Sequence, residues 1–480
     1  MRYIVAGPRV LLDAHKGRSS LKSKASRRKC NQPIALPTPD SVQIHLISQD
    51  HINEFVRAPE SVFSLYAFVE IVSAHTDSYS PMLGHQTPLN FLLSFLKMIQ
   101  HKYTLKGLTA VDSRKLRSVV RSIPLGLKTC LNDIEAELTG DFTTALQRAM
   151  MESKVGKGEW TQLPCFQTIK SIITAVNISA IFGRELAMEQ KFHQAALQYP
   201  DDLATTSEIL RFVPEIFKSL VSTLILSRRH SQCILERYIT PMVQERLRNL
   251  RTENTPSDKP FGDRFYCFVD SCMANGYNSI EKIVLIALGV WYGSIHQPSI
   301  ALANALDDIC LYPEYLEPLR AELDNHMEKK AGSIDRLPLL DSFLKESAHL
   351  YPPDSITARR KALRPFTFRD GTRIAKDDDV CIAMEVRMQD PQHYADGLRF
   401  DGFRFVKVDE HSGRSRFSET SIHSPFWGLG GHIWYVPLAE ASFLLILDSQ
   451  PGTSLCYSRN ETCLRKHDLQ LRFETARLFN

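Results

Sequence analysis

The sequence predicts a mainly α-helical fold with a minor β portion, an α+β class. From about residue 88 to 250 apolar residues recur at spacings of three and four, which is the period of an amphipathic helix. Short alternating stretches, typical of half-buried strands, occur before residue 75 and again after residue 350. No internal repeat or low-complexity linker separates these parts. We therefore expect one domain with a helical body.

The individual elements follow in chain order. The stretch "LPTPDSVQIHLISQ" predicts an early strand with a proline-marked entry. A long, mostly apolar helix is predicted over about 279–310, around "IVLIALGVWYG". After residue 350 the pattern alternates again, and Asp370-Gly371 gives the strongest hairpin signal in the chain.

Composition excludes several classes of protein. The 480 residues are 43% hydrophobic and 23% charged, which is typical of globular proteins, and the net charge of +4 is too small to indicate a nucleic-acid partner. The 10 cysteines form no C-x-x-C pair, so reduced thiols are expected rather than disulfides or a zinc site. No apolar run reaches the roughly 18–20 residues of a membrane span. The chain as written is therefore expected to be cytoplasmic or attached peripherally to a membrane.

Four segments in a fixed order carry a resemblance to a known family. They are the central helix with "YGSIHQPS", then "KESAHL", "DGFRF" and "FWGLGGHI". Together they resemble the cytochrome P450 family of heme-thiolate monooxygenases, and most closely the fungal secondary-metabolism members, ent-kaurene-oxidase-like enzymes among them. The resemblance covers about residues 3–433. It implies the P450 fold, heme as cofactor, a P450 reductase as electron donor, an apolar small-molecule substrate and a place at the endoplasmic reticulum surface. Relatives carry an N-terminal anchor helix. Whether an upstream exon encodes such a helix for this protein is left open.

The resemblance assigns a buried ionic network to the heme-side core. In the family a Glu and an Arg three positions apart on one helix bind an Arg from the loop before the heme. Here the Glu is Glu346 and the loop residue is Arg404, but His349 stands where the first Arg belongs. Because imidazole lacks the five-donor fork of guanidinium, the network is expected to be weakened. A protonated His349 would still donate one bond to Glu346.

The central helix carries His296 and Gln297 where most family members have an acid and an alcohol that relay protons. The fungal group commonly has this "GSxH" form. His296 is therefore a candidate proton relay, since imidazole titrates near neutrality, with a structural role as the alternative. Gln297 is its candidate partner.

Further residues match the family's heme contacts. Arg359 or Arg360 matches the position that pairs with a heme propionate, which suits the bidentate grip of guanidinium on a carboxylate. His432 matches a second propionate partner. Trp427 and Gly430 match the aromatic residue and the first glycine of the heme-loop pattern.

The metal ligand of the family is missing. Trp434 stands where the resemblance places the iron-ligating Cys. The thiolate supplies electron density that favours O–O cleavage, whereas the indole nitrogen offers no lone pair. No metal ligand is therefore expected, and heme binding is unsupported in this sequence. The resemblance thus favours an inactive relative.

Two explanations of Trp434 remain open. The gene has decayed, which the second departure at His349 favours, or the C-terminus is translated intron or a shifted reading frame. Trp-Tyr-Val must be encoded by TGG-TAY-GTN. This sequence contains TG followed by GTAYGT, the usual 5′ end of a fungal intron, and a Cys codon begins with TG. In that case the differently spliced protein is an active monooxygenase of a terpenoid-like apolar metabolite. Residues 434–480 are expected to be a divergent tail, without the helix and final strands of the family.

Overall fold

The computed structural model describes part of the chain, and the account below is confined to that part. The described residues are 32–37, 42–65, 67, 119, 144, 160–163, 165–210, 213, 217, 220–221, 224–225, 230–251, 264–328, 337–352, 356–390, 393–394, 396–406, 417, 419–429, 453–458 and 461–469.

Helices dominate these residues, as the sequence predicts. The helices are α1 (Gln49–Arg57), α2 (Cys165–Phe182), α3 (Arg184–Met188), α4 (Gln190–Leu210), α5 (Ser231–Arg251), α6 (Arg264–Ala274), α7 (Ile280–Leu311), α8 (Leu316–Glu328), α9 (Pro338–Leu350) and α10 (Met384–Met388). The strands are β1 (Ile34–Pro37), β2 (Val42–Leu46), β3 (Phe63–Ser64), β4 (Trp160–Leu163), β5 (Thr357–Ala362), β6 (Phe366–Thr367), β7 (Arg373–Ile374), β8 (Asp379–Ile382), β9 (Thr453–Ser458) and β10 (Glu461–Leu469).

The helical body packs around α7, which confirms the long central helix predicted over about 279–310. Helices α2, α4, α5 and α9 all contact it. The ring of Phe182 at the end of α2 joins several of these helices, with ring centroids 5.5 Å from Trp291 and from Phe192 and 5.3 Å from Phe265. Since Trp291, Phe192 and Phe265 are fully or almost fully buried, this aromatic group forms the centre of the helical core.

Three helices of this body, α4, α5 and α7, contain an internal proline. The breaks in α4 and α7 are repaired by a neighbouring helix. Proline has no N–H, so Pro200 of α4 leaves the carbonyl of Ala196 without its helical donor. The indole Nε1 of Trp291 donates to that carbonyl at 2.9 Å. Side chains from adjacent helices thus replace the missing main-chain donors.

The second repaired break lies in α7. Pro298 leaves the carbonyl of Ser294 without its helical donor, and the amide Nδ2 of Asn177 in α2 donates to it at 2.8 Å. Both repairs fix a helix against α7 at a defined register, and the break in α7 falls directly after His296 and Gln297.

The minor β portion lies beside this body. A five-stranded sheet has the order β1-β2-β8-β5-β3, with β2 and β8 parallel and the other pairs antiparallel. The predicted early strand is confirmed as β2, and the strand before it, β1, was not predicted. The hairpin at Asp370-Gly371 is confirmed as β6 and β7, and Gly371 has a φ of +88°, which glycine adopts without strain.

The expectation that the segment after residue 434 lacks strands is wrong. Strands β9 and β10 pair antiparallel, and β10 also pairs with β4, giving the sheet order β4-β10-β9. The main chain of the late segment therefore joins a strand that directly precedes α2. The boundary at 433 between family domain and divergent tail stays a prediction.

Candidate heme-side site

Glu346 and Arg404 meet in a buried, bidentate ion pair. Helix α9 begins with a proline at its first turn, a position that tolerates the missing N–H, and carries Glu346 fully buried. Arg404 donates from Nε to Glu346 Oε2 at 2.9 Å and from Nη2 to Oε1 at 3.1 Å. The N–H of Asp401 donates to the same Oε1 at 2.9 Å. Burial raises the pKa of Glu346, and the hydrogen bonds from Arg404 oppose the shift.

The loop that carries Arg404 fits closely against the helices. Arg404 Nη2 also donates to the carbonyl of Arg399 at 2.7 Å, so one guanidinium joins α9 to two points of the loop. A Cβ on Gly402 would lie 2.8 Å from the Tyr315 ring and 2.9 Å from the Phe343 ring, too close for any side chain. Sequence reasoning missed this role of Gly402, although the glycine stands inside the quoted "DGFRF" segment.

His349 does not bind Glu346, which corrects the expectation from the sequence. Its Nε2 bonds to the carbonyl of Gly397 at 3.1 Å, so Nε2 must carry the proton that is donated. The ring is fully buried and lies edge-on to Tyr394 at a centroid distance of 4.4 Å. Burial, reinforced by the charges of Arg404 and Lys345, lowers the pKa of His349 to about 3. The side chain is therefore neutral, and it supplies no second cation to the network.

His296 faces a carboxylate on another helix. Its Nε2 lies 2.9 Å from Asp201 Oδ1, while Lys170 Nζ donates to Asp201 Oδ2 at 2.6 Å. Burial and the charge of Lys170 lower the pKa of His296, and Asp201 opposes the shift. Gln297 follows on α7 and is half-buried. The proton relay by His296 and Gln297 stays a prediction.

Sequence reasoning missed both partners of His296. Lys170 is a single buried cation in the otherwise apolar helix α2, and Asp201 directly follows Pro200. A buried lysine without an acid near it in sequence is a signal for a partner on another element, because buried charges are paired.

The two candidate propionate residues occupy different environments on β5. Arg360 is buried, donates from Nη1 to the carbonyl of Phe55 at 3.2 Å and lies 4.7 Å from the centre of the Phe55 ring. The charge of Arg359 acts instead on His45, whose pKa burial lowers to about 4 with Arg359 as the second cause. Arg360 is thus engaged with α1, and the pairing of Arg359 or Arg360 with a heme propionate stays a prediction.

The loop with the heme-loop pattern begins with a fixed indole. Trp427 is almost fully buried and donates from Nε1 to the carbonyl of Phe417 at 2.9 Å. Its ring packs against Phe426 with a centroid distance of 4.5 Å. Gly428 has a φ of +89°, which turns the chain at this point. Gly430, His432 and Trp434 lie outside the described residues.

The donor set does not fit a heme-thiolate centre. Indole at residue 434 has no lone pair for iron. The cysteines whose side chains the structure describes are distributed over α2, α5, α6, the end of α7 and β8, at Cys165, Cys233, Cys267, Cys272, Cys310 and Cys381. Among the described residues, no group of three or more His, Cys, Asp or Glu side chains could hold a metal ion.

Comparison with known proteins identifies the family. The cytochrome P450 family profile matches residues 116–428. The cytochrome P450 monooxygenase terQ of Tolypocladium album is 26% identical over 58% of this chain and 50% of its own length. The monooxygenase ptmQ of Penicillium ochrochloron is 27% identical over 66% of this chain and 62% of its own length. The monooxygenase paxP of Penicillium paxilli is 28% identical over 54% of this chain and 52% of its own length. The chain thus spans about half to two thirds of the length of these fungal relatives.

The fold comparison agrees. The cytochrome P450DA heme domain superposes with a TM-score of 0.59 over 92% of this chain and 91% of its own, at 12% sequence identity. This shared fold is mainly helical with a minor sheet portion, as the sequence predicts. The fold, the family profile and the fungal relatives point to one conclusion. The chain belongs to the cytochrome P450 family.

Proposed function

We propose that the polypeptide of this sequence is a P450-family protein of fungal secondary metabolism that does not catalyse monooxygenation. The observation that carries the proposal is Trp434 at the position of the iron-ligating Cys. A bound heme would supply oxygen activation in this family, but only with an axial thiolate to drive O–O cleavage. No catalytic step is therefore assigned to this chain.

The environment of His349 supports the same proposal. The family network relies on a second guanidinium at this position, and the structure has a neutral imidazole bonded to a main-chain carbonyl. The two departures lie in separate segments, so one lesion does not account for the other. The family profile also ends at residue 428, before the ligand position.

The test is the spectrum of the purified full-length chain, reduced and exposed to carbon monoxide after growth with a heme precursor. We expect no red-shifted Soret band of the kind that a thiolate-ligated ferrous–CO heme gives. That band in the unaltered chain would overturn the proposal. Trp434→Cys is expected to restore little, because the following residues no longer match the loop and the helix after it. A strong thiolate spectrum from this single variant would contradict that expectation.

A second candidate function applies to the protein that a differently spliced mRNA would encode. If the codon at 434 is split by an intron, the spliced protein is a heme-thiolate monooxygenase that oxidises a terpenoid-like apolar metabolite with electrons from a P450 reductase. The codon sequence required by Trp-Tyr-Val favours this candidate. Sequencing the mature mRNA across the codon decides between the two: an uninterrupted TGG-TAY-GTN frame eliminates the splicing candidate.

The expected location in the cell also differs between the spliced protein and the chain as written. The spliced protein is expected at the endoplasmic reticulum surface, and the chain as written is expected in the cytoplasm or peripherally on a membrane. On length and composition alone, α2 and α7 are apolar enough to cross a membrane. Both belong to the packed helical core, so they establish no membrane span. A nucleic-acid partner is not proposed.

A further inference from the structure

The hairpin of β9 and β10 places two cysteines at directly opposite positions. Residues 455–458 of β9 pair in unbroken antiparallel register with residues 461–464 of β10, and Cys456 pairs with Cys463. Directly paired residues of an antiparallel ladder share one face of the sheet, with Cα atoms about 4.5 or 5.5 Å apart. Both separations lie inside the range of about 4.4–6.8 Å that a disulfide bond spans. The register therefore gives the two cysteines the main-chain spacing that a disulfide needs.

The strand that carries Cys463 is aligned from both sides. Strand β10 is the central strand of the order β4-β10-β9, and on its other side Cys463 pairs with Gln162 of β4. Strand β9, which carries Cys456, is paired on one side only. Among the residues of these three strands, Cys456 and Cys463 are the only cysteines. A bond between them would join the edge strand to the central strand.

We propose that Cys456 and Cys463 form a reversible dithiol–disulfide pair whose substrate is a low-molecular-weight disulfide such as glutathione disulfide. The thiolate of one cysteine attacks a sulfur of the small disulfide, which releases one small thiol and leaves a mixed disulfide. The thiolate of the other cysteine attacks the protein sulfur of that mixed disulfide, forms the bond between the two cysteines and releases the second small thiol. The protein thiols thus lose two electrons and two protons, which the two small thiols carry away.

This chemistry is compatible with the reduced thiols expected from the sequence. In a reducing compartment disulfides are usually transient and respond to the redox state. The dithiol is then the resting form, and oxidation joins β9 covalently to β10. Because β10 also pairs with β4, the bond strengthens the attachment of the late segment to the strand before α2. No step involves heme, so the proposal is independent of the proposed function.

The test exposes the native full-length chain to mixtures of reduced and oxidised glutathione, followed by acid quenching and alkylation of the free thiols. Trypsin cleaves after Arg416, Arg459 and Arg465, so Cys456 and Cys463 fall on separate peptides that contain one cysteine each. Mass spectrometry then detects whether the two peptides are joined. We expect them to be joined after oxidation and to separate after treatment with dithiothreitol.

Two variants make the result specific to the folded register. Cys456→Ser removes one thiol and should leave Cys463 as a mixed disulfide with glutathione. Leu455→Cys in that background moves the thiol by one position, which belongs to the other face of the sheet. We expect this double variant to link to Cys463 several-fold more slowly than the native pair. In denaturant, where no register exists, both chains should link at similar rates.

A control and a second measurement complete the test. Cys233→Ser, at an exposed cysteine of α5, should leave the linkage intact. Oxidation should slow amide hydrogen exchange in residues 453–469 several-fold, with little change in α9. The proposal is overturned if Cys456 and Cys463 stay unlinked after oxidation, or if either bonds instead to Cys165 at the start of α2. Linkage of the Leu455→Cys variant as fast as that of the native pair would also overturn it.

Discussion

The indole Nε1 of Trp291 lies 2.9 Å from the carbonyl oxygen of Ala196, the acceptor that Pro200 deprives of its helical donor. A proline inside α4 and a tryptophan inside α7 thus form one structural unit across two helices. The indole is buried, so water does not replace its hydrogen bond when it is removed.

Trp291→Phe should destabilise the protein, because the Ala196 carbonyl is left buried without a donor. The expected loss is about 1–3 kcal/mol in the free energy of unfolding, measured by chemical denaturation. In a Pro200→Ala background the restored N–H can serve that carbonyl, so the same substitution should cost less. Equal losses in the two backgrounds would show that the indole acts through packing alone.

Asn177→Leu should have a related effect at the break in α7. The leucine side chain fills similar space but cannot donate to the Ser294 carbonyl, and a loss of about 1–3 kcal/mol is expected. Pro298→Ala returns a main-chain donor to that carbonyl. A denaturation series on the two single variants and the double variant measures the coupling, and additive effects would argue against the repair.

Arg404→Met should be among the most damaging substitutions in the loop. It leaves the buried carboxylate of Glu346 without its cation, and breaking such a pair costs about 3–5 kcal/mol. Combining it with Glu346→Gln removes the uncompensated charge and should recover part of the loss. Arg399→Met, at an exposed side chain of the same loop, is the control. A similar loss of stability in that control would contradict the assignment.

His349 should make stability fall on acidification. Its pKa is lowered to about 3 in the folded protein, below the ordinary 6.5, so the unfolded chain binds the proton more readily. The contribution is complete above about pH 6.5 and is lost toward pH 3, by up to about 1.4 kcal/mol per pH unit. His349→Gln, which keeps a donor for Gly397, should lower this slope relative to wild type in denaturation curves taken across that range. An unchanged slope would show that His349 is not the group that titrates.

Much of the fold could be predicted from the sequence, because the residues that are buried in helices and strands recur at regular spacings. The long α7, the early strand β2 and the Asp370-Gly371 hairpin all follow from spacing and turn chemistry. The meeting of Glu346 and Arg404 followed from the resemblance, since no local pattern links a helix to a distant loop.

Other features left no such record. The partner of His349 is a main-chain carbonyl, and any residue at Gly397 would offer one. The contact between Lys170 and Asp201 depends on how two helices pack, which neither helix encodes alone. Strands β9 and β10 were not predicted, because the late segment departs from the family pattern and the pairing partner of β10, β4, lies far away in sequence.

The pairing of β4 with β10 also determines when this part of the molecule can be completed. Leu163 acquires its cross-strand neighbour Thr462 only after nearly the whole chain has left the ribosome. Contacts between residues so distant in sequence form slowly, and until then the main chain of β4 is an open edge. An mRNA with different codons for residues 453–469 would therefore alter the environment of β4 as well as the C-terminal strands.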